Sequence, residues 1–447
     1  MSNYVAHTEA GELSTIAILQ AARAAEEKAK SWMLRAWLLC GVFFMTLPGT
    51  LLGFSNLLAI GRHHGLAALP PAWIQGHGHA QVFGWIGSFV LGIGFYSQPV
   101  RNRAALHRQL ASLLLWEPGV LLRWFASIYA WHWRLLAPLS VAMECASMLL
   151  FLASARHHKR PKPAADAPAR SMPMWMIAVL ASTAGFAAMV LFDAIECVRL
   201  AIAGVTPAFP HALDQRYLVL MGWGFLAPVV WGFSARWLPV LLGLPPLRQR
   251  FFGWALALDA AGVLAGLMGA AQAAVLLLAG SALGCVLGLG IFAHPVAPAR
   301  TRDVSASFPF FARITYLWLL LAAGLGIWAA WADHWGGIWG ASRHALTVGF
   351  AATMVFTIGP RILPNFAGFV RIFSRRLMFA ALFLLQLGCT LRVGSEPLAY
   401  EHIAPFAWKL LPVSGVLELS AVLLFAANLL LTLTLGQSAF HEPPKRA

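Results

Sequence analysis

Apolar residues in this chain fall into long, nearly unbroken runs instead of alternating with polar ones. Twelve runs stand out, at 36–59, 78–98, 109–130, 135–155, 174–198, 214–235, 251–270, 273–293, 312–332, 344–360, 376–394 and 412–436. Most have the roughly 17–25 residues that a helix needs to cross a hydrocarbon core about 30 Å thick. None has the period-two pattern of an outer-membrane barrel strand. The pattern predicts an all-α, polytopic bundle of about twelve transmembrane helices over 36–436, with tails at 1–35 and 437–447. Only the division of 251–293, which is almost continuous, leaves the count open by one.

Composition agrees with lipid as the solvent. Of 447 residues, 60% are hydrophobic and 11% charged, whereas a soluble domain carries roughly a quarter charged residues. The net charge of +15 raises the question of nucleic acid, but its distribution answers it. Lys and Arg number 24 in the two tails and the segments after even-numbered helices, against 7 after odd-numbered ones. This split is the positive-inside signature of a multi-pass inner (plasma) membrane protein with both termini cytoplasmic. The basicity is therefore topological, and no nucleic-acid partner is expected. The five cysteines stand singly in helices without a CxxC and read as small core residues. Residues 156–173 form a Pro/Ala-rich cytoplasmic linker.

Candidate chemistry lies in the histidines predicted on the outer side. Helix 2 opens as Gln75-Gly76-His77-Gly78-His79-Ala80-Gln81-Val82-Phe83-Gly84, and helix 10 as Ser342-Arg343-His344-Ala345-Leu346-Thr347-Val348-Gly349. His79 and His344 each stand five residues before a glycine, so they should lie at similar depth. Helix 6 belongs to the same set: Gly224 through Pro239 matches Gly349 through Pro364 at seven of sixteen positions. Related segments at every fourth helix point to a pseudo-threefold ring of four-helix units. Imidazole inside a membrane helix needs a partner and is a functional candidate by default. Two facing imidazoles can hold a haem iron axially, with the porphyrin between Gly78, Ala80, Gly84, Ala345 and Gly349. The alternative is interfacial histidines hydrogen-bonded to neighbouring helices. Residues two apart on a helix point about 200° apart, so only one of His77 and His79 can face such an iron.

At these residues the chain resembles a known family. Gly76 through Trp85 looks like the helix-2 haem-ligand segment of the haem–copper oxidase subunit I superfamily and like the His-x-His motif of the NnrS family. Arg343 through Gly349 is similar to the NnrS helix-10 motif. The resemblance implies one haem b between helices 2 and 10, with His79 or His77 and His344 as iron ligands. It also implies a role in nitric oxide or denitrification-linked redox metabolism, with possible copper and a redox partner protein or quinol. The superfamily's high-spin haem ligand would fall at Ser342, and helix 7 holds no histidine. The oxidase-type binuclear centre is therefore expected to be absent or altered, which leaves open whether the protein is an oxidoreductase. His77, His211, His63 or His64 remain candidates for a second metal. Arg343 and Arg392 are candidates for haem carboxylates, against the plainer reading of solvated helix ends.

Several acids interrupt apolar runs: Glu117, Glu144, Asp193, Glu196, Asp259 and Glu418. A carboxylate in lipid costs roughly 2.5–3.5 kcal/mol on insertion scales, so each should face the bundle. Interhelical pairing, Arg123 with Glu117 or Glu144 and Glu196 with Arg199, competes with a proton path in which Asp193 and Glu196 share a face. Pro118 should kink helix 3. A secondary transporter with structural histidines is the alternative function, since repeated and broken helices also mark that class.

Overall fold

The computed structural model describes residues 2–98, 103–156, 171–301 and 303–439. Most of the predicted 156–173 linker, Arg101, Arg302 and the tail beyond 439 lie outside the described residues. Among those described, the only β-pairing is a single bridge between Phe369 and Ser438.

Among the described residues, twelve long helices fall one on each apolar run. Helix α1 runs as Ser2–Phe44, passes through a π-helical segment at Met45–Leu51, and continues as Leu52–His63. Helix α2 is built from Pro71–His79, a π segment at Ala80–Gly87, and Ser88–Tyr96. Then come α3 (Arg103–Tyr129), α4 (Trp133–Arg156), α5 (Met174–Ala203), α6 (His211–Leu242), α7 (Gln249–Leu267) and α8 (Ala271–Leu289). The last four are α9 (Phe308–Ala332), α10 (Gly337–Phe366), α11 (Arg375–Tyr400) and α12 (Ala407–Leu435). Ten of these are long and apolar enough to cross a membrane. Leu135, Leu149, Ile195, Ile202 and Leu264 stand exposed on the outer face, while Arg123, Glu144, Asp193, Asp259, Arg392 and Glu396 are buried. This inside-out distribution is that of a multi-pass membrane protein whose outer surface contacts lipid.

Helix ends depart from the sequence pattern where polar residues extend a helix beyond its apolar core. Helix α1 begins well before 36, so much of the predicted N-terminal tail is a helical extension. Helix α2 starts at Pro71, where proline suits the first helical turn, and α10 starts at Gly337. His77, His79 and His344 thus lie two turns inside their helices. Helix α11 continues to Tyr400 through Pro397. Helix α3 runs unbroken through Pro118.

The repeat seen in sequence has a backbone counterpart. The π segments Ala80–Gly87, Leu220–Leu226 and Ala345–Ala352 occupy matching places in α2, α6 and α10. Two of them begin directly after His79 and His344. Such segments are rare and recur at functional sites.

Loops after odd-numbered helices meet at one end of the bundle. Gln75 both accepts from Phe209 N (2.8 Å) and donates to its carbonyl (3.1 Å). Arg134 donates to the carbonyls of Ala201 and Gly204, and Trp335 packs edge-on to His402. At the other end Ser31 and Arg35 bond the carbonyls of Phe366 and Ala367, and Arg375 pairs with Asp303.

Candidate functional site

Two short polar openings position the histidines. Trp73 Nε1 donates to Ile128 O at 3.0 Å, which together with the Gln75–Phe209 pair pins the first turn of α2 to α3 and to the loop after α5. In α10 the Asp333 carboxylate caps the helix start, accepting from the backbone N–H groups of Trp335, Gly336 and Trp339. Gly336, at φ +87°, makes the left-handed turn this cap requires.

From these anchors His77 and His344 converge on one cavity of about 330 Å³ between α1, α2, α6, α10, α11 and α12. Arg343, Arg392, Glu396 and Glu418 also line it, among apolar residues such as Val82, Trp85, Met221 and Val348. The His77 ring packs over Gly53, where a Cβ would stand 2.5 Å from Cε1. Its Nδ1 lies 2.9 Å from Gly49 O, within the α1 π segment. His344 Nδ1 lies 2.9 Å from Gly340 O and 3.1 Å from Glu396 Oε2. With Nδ1–H donating to these acceptors, each imidazole presents a basic Nε2, and among the described residues no hydrogen bond engages either one. That is the tautomer of an imidazole prepared to ligate.

Each sequence candidate now has a location. His77 shares the cavity with His344; His79, the helix-2 residue first paired with His344, faces the other way. His79 Nε2 is 3.1 Å from Glu144 Oε1 and its ring stacks on Phe83 at 4.2 Å. The 200° divergence of alternate helical residues separates the two as anticipated, and it is His77 that shares the cavity with His344. Of the small residues expected around a porphyrin, Gly78 lines the cavity, and a Cβ there would meet nothing within 4 Å. The others pack helices together: Gly84 meets Phe44, Gly349 meets Trp318, and Ala80 and Ala345 are fully buried.

Arg392 is buried and pairs with Glu396 at 2.9 Å, while its Nε and Nη1 have no hydrogen-bond partner. Arg343 bonds Gln215 and lies over the Trp339 ring at 5.9 Å. Glu196 pairs with Arg199 at 2.6 Å as expected, but Arg123 reaches Asp193 (3.8 Å) instead of Glu117 or Glu144. His211 and His334 line a second cavity of about 760 Å³ between α6 and α10, together with Arg343 and Ser342. Ser342 donates to Ala322 O at 2.8 Å. His63 and His64 end α1 exposed, with His64 stacked on Trp408.

Sequence reasoning missed Glu396. It lies outside the apolar run ending at 394, next to a proline that reads as a helix breaker. The available signal was its i+4 spacing from Arg392, the pairing distance on a helix. In comparisons with known proteins, no family model matches the chain and no curated sequence matches it.

Proposed function

We propose that the chain is a haem-bearing membrane protein of the NnrS kind, in which His77 and His344 hold a haem b from opposite sides of the cavity between α2 and α10. The observation that carries this reading is the shared cavity flanked by two imidazoles, each with Nδ1 anchored and Nε2 free. The surroundings fit the group. The space beyond Gly78 is open, the walls are mainly apolar, and Arg392 has guanidinium nitrogens without partners, suited to a haem carboxylate. A haem b held by both His77 and His344 would supply one-electron redox chemistry, which favours electron transfer over gas turnover.

The chain's own contribution is positioning. Gly49 O and Gly340 O fix the two ring planes, Glu396 adds negative charge behind His344, and Arg392 offsets that charge. In this reading the protein lies in a bacterial inner membrane with both termini cytoplasmic and takes part in nitric oxide or denitrification-linked redox metabolism. A quinol or a redox protein supplies its electrons. No oxidase-type binuclear centre is invoked, because Ser342 occupies the helix-10 position of its ligand. Copper at His211 would need further ligands, and among the described residues no group of three His, Cys, Asp or Glu side chains forms around it.

The test is an optical one. Purified full-length protein should give a reduced-minus-oxidised spectrum of b-type haem that His77→Ala and His344→Ala each abolish and His79→Ala retains. A colourless protein at full occupancy would overturn the reading in favour of a transporter. A normal spectrum in both the His77 and His344 variants would overturn the assignment.

A further inference from the structure

The geometry points to a metal site distinct from the haem cavity: His79, Glu144 and Asp193 together bind one divalent first-row transition ion between α2, α4 and α5. His79 Nε2 and a carboxylate oxygen from each of Glu144 and Asp193 all lie within 4.8 Å of one another. The His79–Glu144 separation is 3.1 Å. Ligand bonds of about 2.0–2.2 Å put neighbouring donors on one ion roughly 3.0–3.5 Å apart, so the cluster needs only a small contraction.

A second observation asks for an occupant. Glu144 Oε2 and Asp193 Oδ2 have no hydrogen-bond partner, although the two residues are 0% and 1% exposed. Buried carboxylate oxygens without partners are uncommon and call for a water or an ion. Two carboxylates also neutralise a divalent charge, as low-dielectric surroundings demand. Arg123 is the competing cation. Its 3.8 Å approach to Asp193 Oδ1 is loose, and its guanidinium is also held by Pro207 O at 3.4 Å and over the Phe209 ring at 5.3 Å. The other oxygen of Asp193, Oδ2, is thus left for an ion. Cys197 Sγ, 3.7 Å from Asp193 Oδ1, adds a soft donor nearby. One imidazole, two carboxylates and an adjacent thiol suit ions of intermediate softness, such as Zn²⁺, Fe²⁺ or Co²⁺, over Mg²⁺ or Ca²⁺.

Full-length protein in detergent, stripped with a chelator and dialysed against Co²⁺, provides the test by elemental analysis. We expect one equivalent of cobalt per chain, with affinity at least tenfold weaker in both Glu144→Gln and Asp193→Asn. Both substitutions preserve shape, and any haem spectrum should stay as in the parent. If Glu144→Gln fails to fold, Asp193→Asn carries the comparison. No bound cobalt in the parent, or equal affinity in the folded variants, overturns the proposal. Because cobalt is counted directly, the result stands whether or not the protein carries haem. Loss of haem in His79→Ala with cobalt binding intact would overturn both assignments.

Discussion

His344 and Glu396 meet at 3.1 Å, Nδ1 to Oε2, across the contact between α10 and α11. The contact exists because residue 340 is glycine: a Cβ there would stand 2.9 Å from Glu396 Oε1. The second carboxylate oxygen takes Arg392 Nη2 at 2.9 Å, so a half-buried imidazole, a buried carboxylate and a buried guanidinium form one chain.

That chain makes Glu396 a stability residue as well as a positioning one. Removing one partner of a buried ion pair costs about 3–5 kcal/mol, because the other charge is left uncompensated. Glu396→Ala should therefore lower the thermal unfolding midpoint in detergent far more than Glu396→Gln, which keeps a hydrogen-bond acceptor for Arg392. Loss of an outer partner of a metal-binding histidine typically weakens the metal about 10–100-fold. Haem retention during dialysis should fall accordingly in Glu396→Gln. Midpoints in both variants equal to that of the parent would show that Arg392 does not depend on Glu396.

Gly53 sets the seat of the other imidazole. A methyl group at this position would stand 2.5 Å from His77 Cε1 and 2.9 Å from Nδ1, so the ring must turn away from Gly49 O. Gly53→Ala should change the unfolding free energy by no more than about 1 kcal/mol while altering any low-spin haem signals in electron paramagnetic resonance. A methyl group at Gly78 would instead enter the open space assigned to the haem, where it meets no protein atom within 4 Å, so Gly78→Ala should lower haem occupancy.

Closer still is the approach of α5 to α6. A Cβ on Gly185 would fall 1.9 Å from Gly224 O, a backbone atom that cannot rotate aside. Small residues permit such approaches between membrane helices. Gly185→Ala should force the helices apart and cost about 1–3 kcal/mol, the usual penalty of overpacking, read as a lower unfolding midpoint with any metal or haem content retained.

The helices were legible because lipid imposes one demand, a long apolar run, and each of the twelve runs became a helix. What lipid does not dictate was harder to read. Polar first turns hid the true starts of α2 and α10, since Pro71 and the Asp333 cap act through backbone geometry. Pro397 concealed the last turn of α11 and, with it, Glu396. The choice between His77 and His79 turns on helix rotation, which sequence constrains only as a 200° difference. No residue pattern announced the π segments beyond the repeated Gly-Phe of helices 6 and 10. The cluster of His79, Glu144 and Asp193 joins three helices, so its members were visible singly but not as a group.

Sidedness gives the last prediction. The end of the bundle that holds the loops after odd-numbered helices carries His132, Trp335 and His402, whereas the opposite end carries Arg248, Arg300 and Arg375. Cytoplasmic loops accumulate Lys and Arg, so the first end should face the periplasm. The native cysteines are half-buried (Cys40, Cys145) or buried, which allows a background in which all five are replaced by serine. In that background a single cysteine at His132 or His402, both in left-handed turns that project from the bundle, should react with a membrane-impermeant maleimide added to intact cells. A cysteine at Arg248 or Arg300 should react only after the membrane is opened. The reverse pattern would invert the topology and put both the cavity of His77 and His344 and the His79 cluster near the cytoplasmic face.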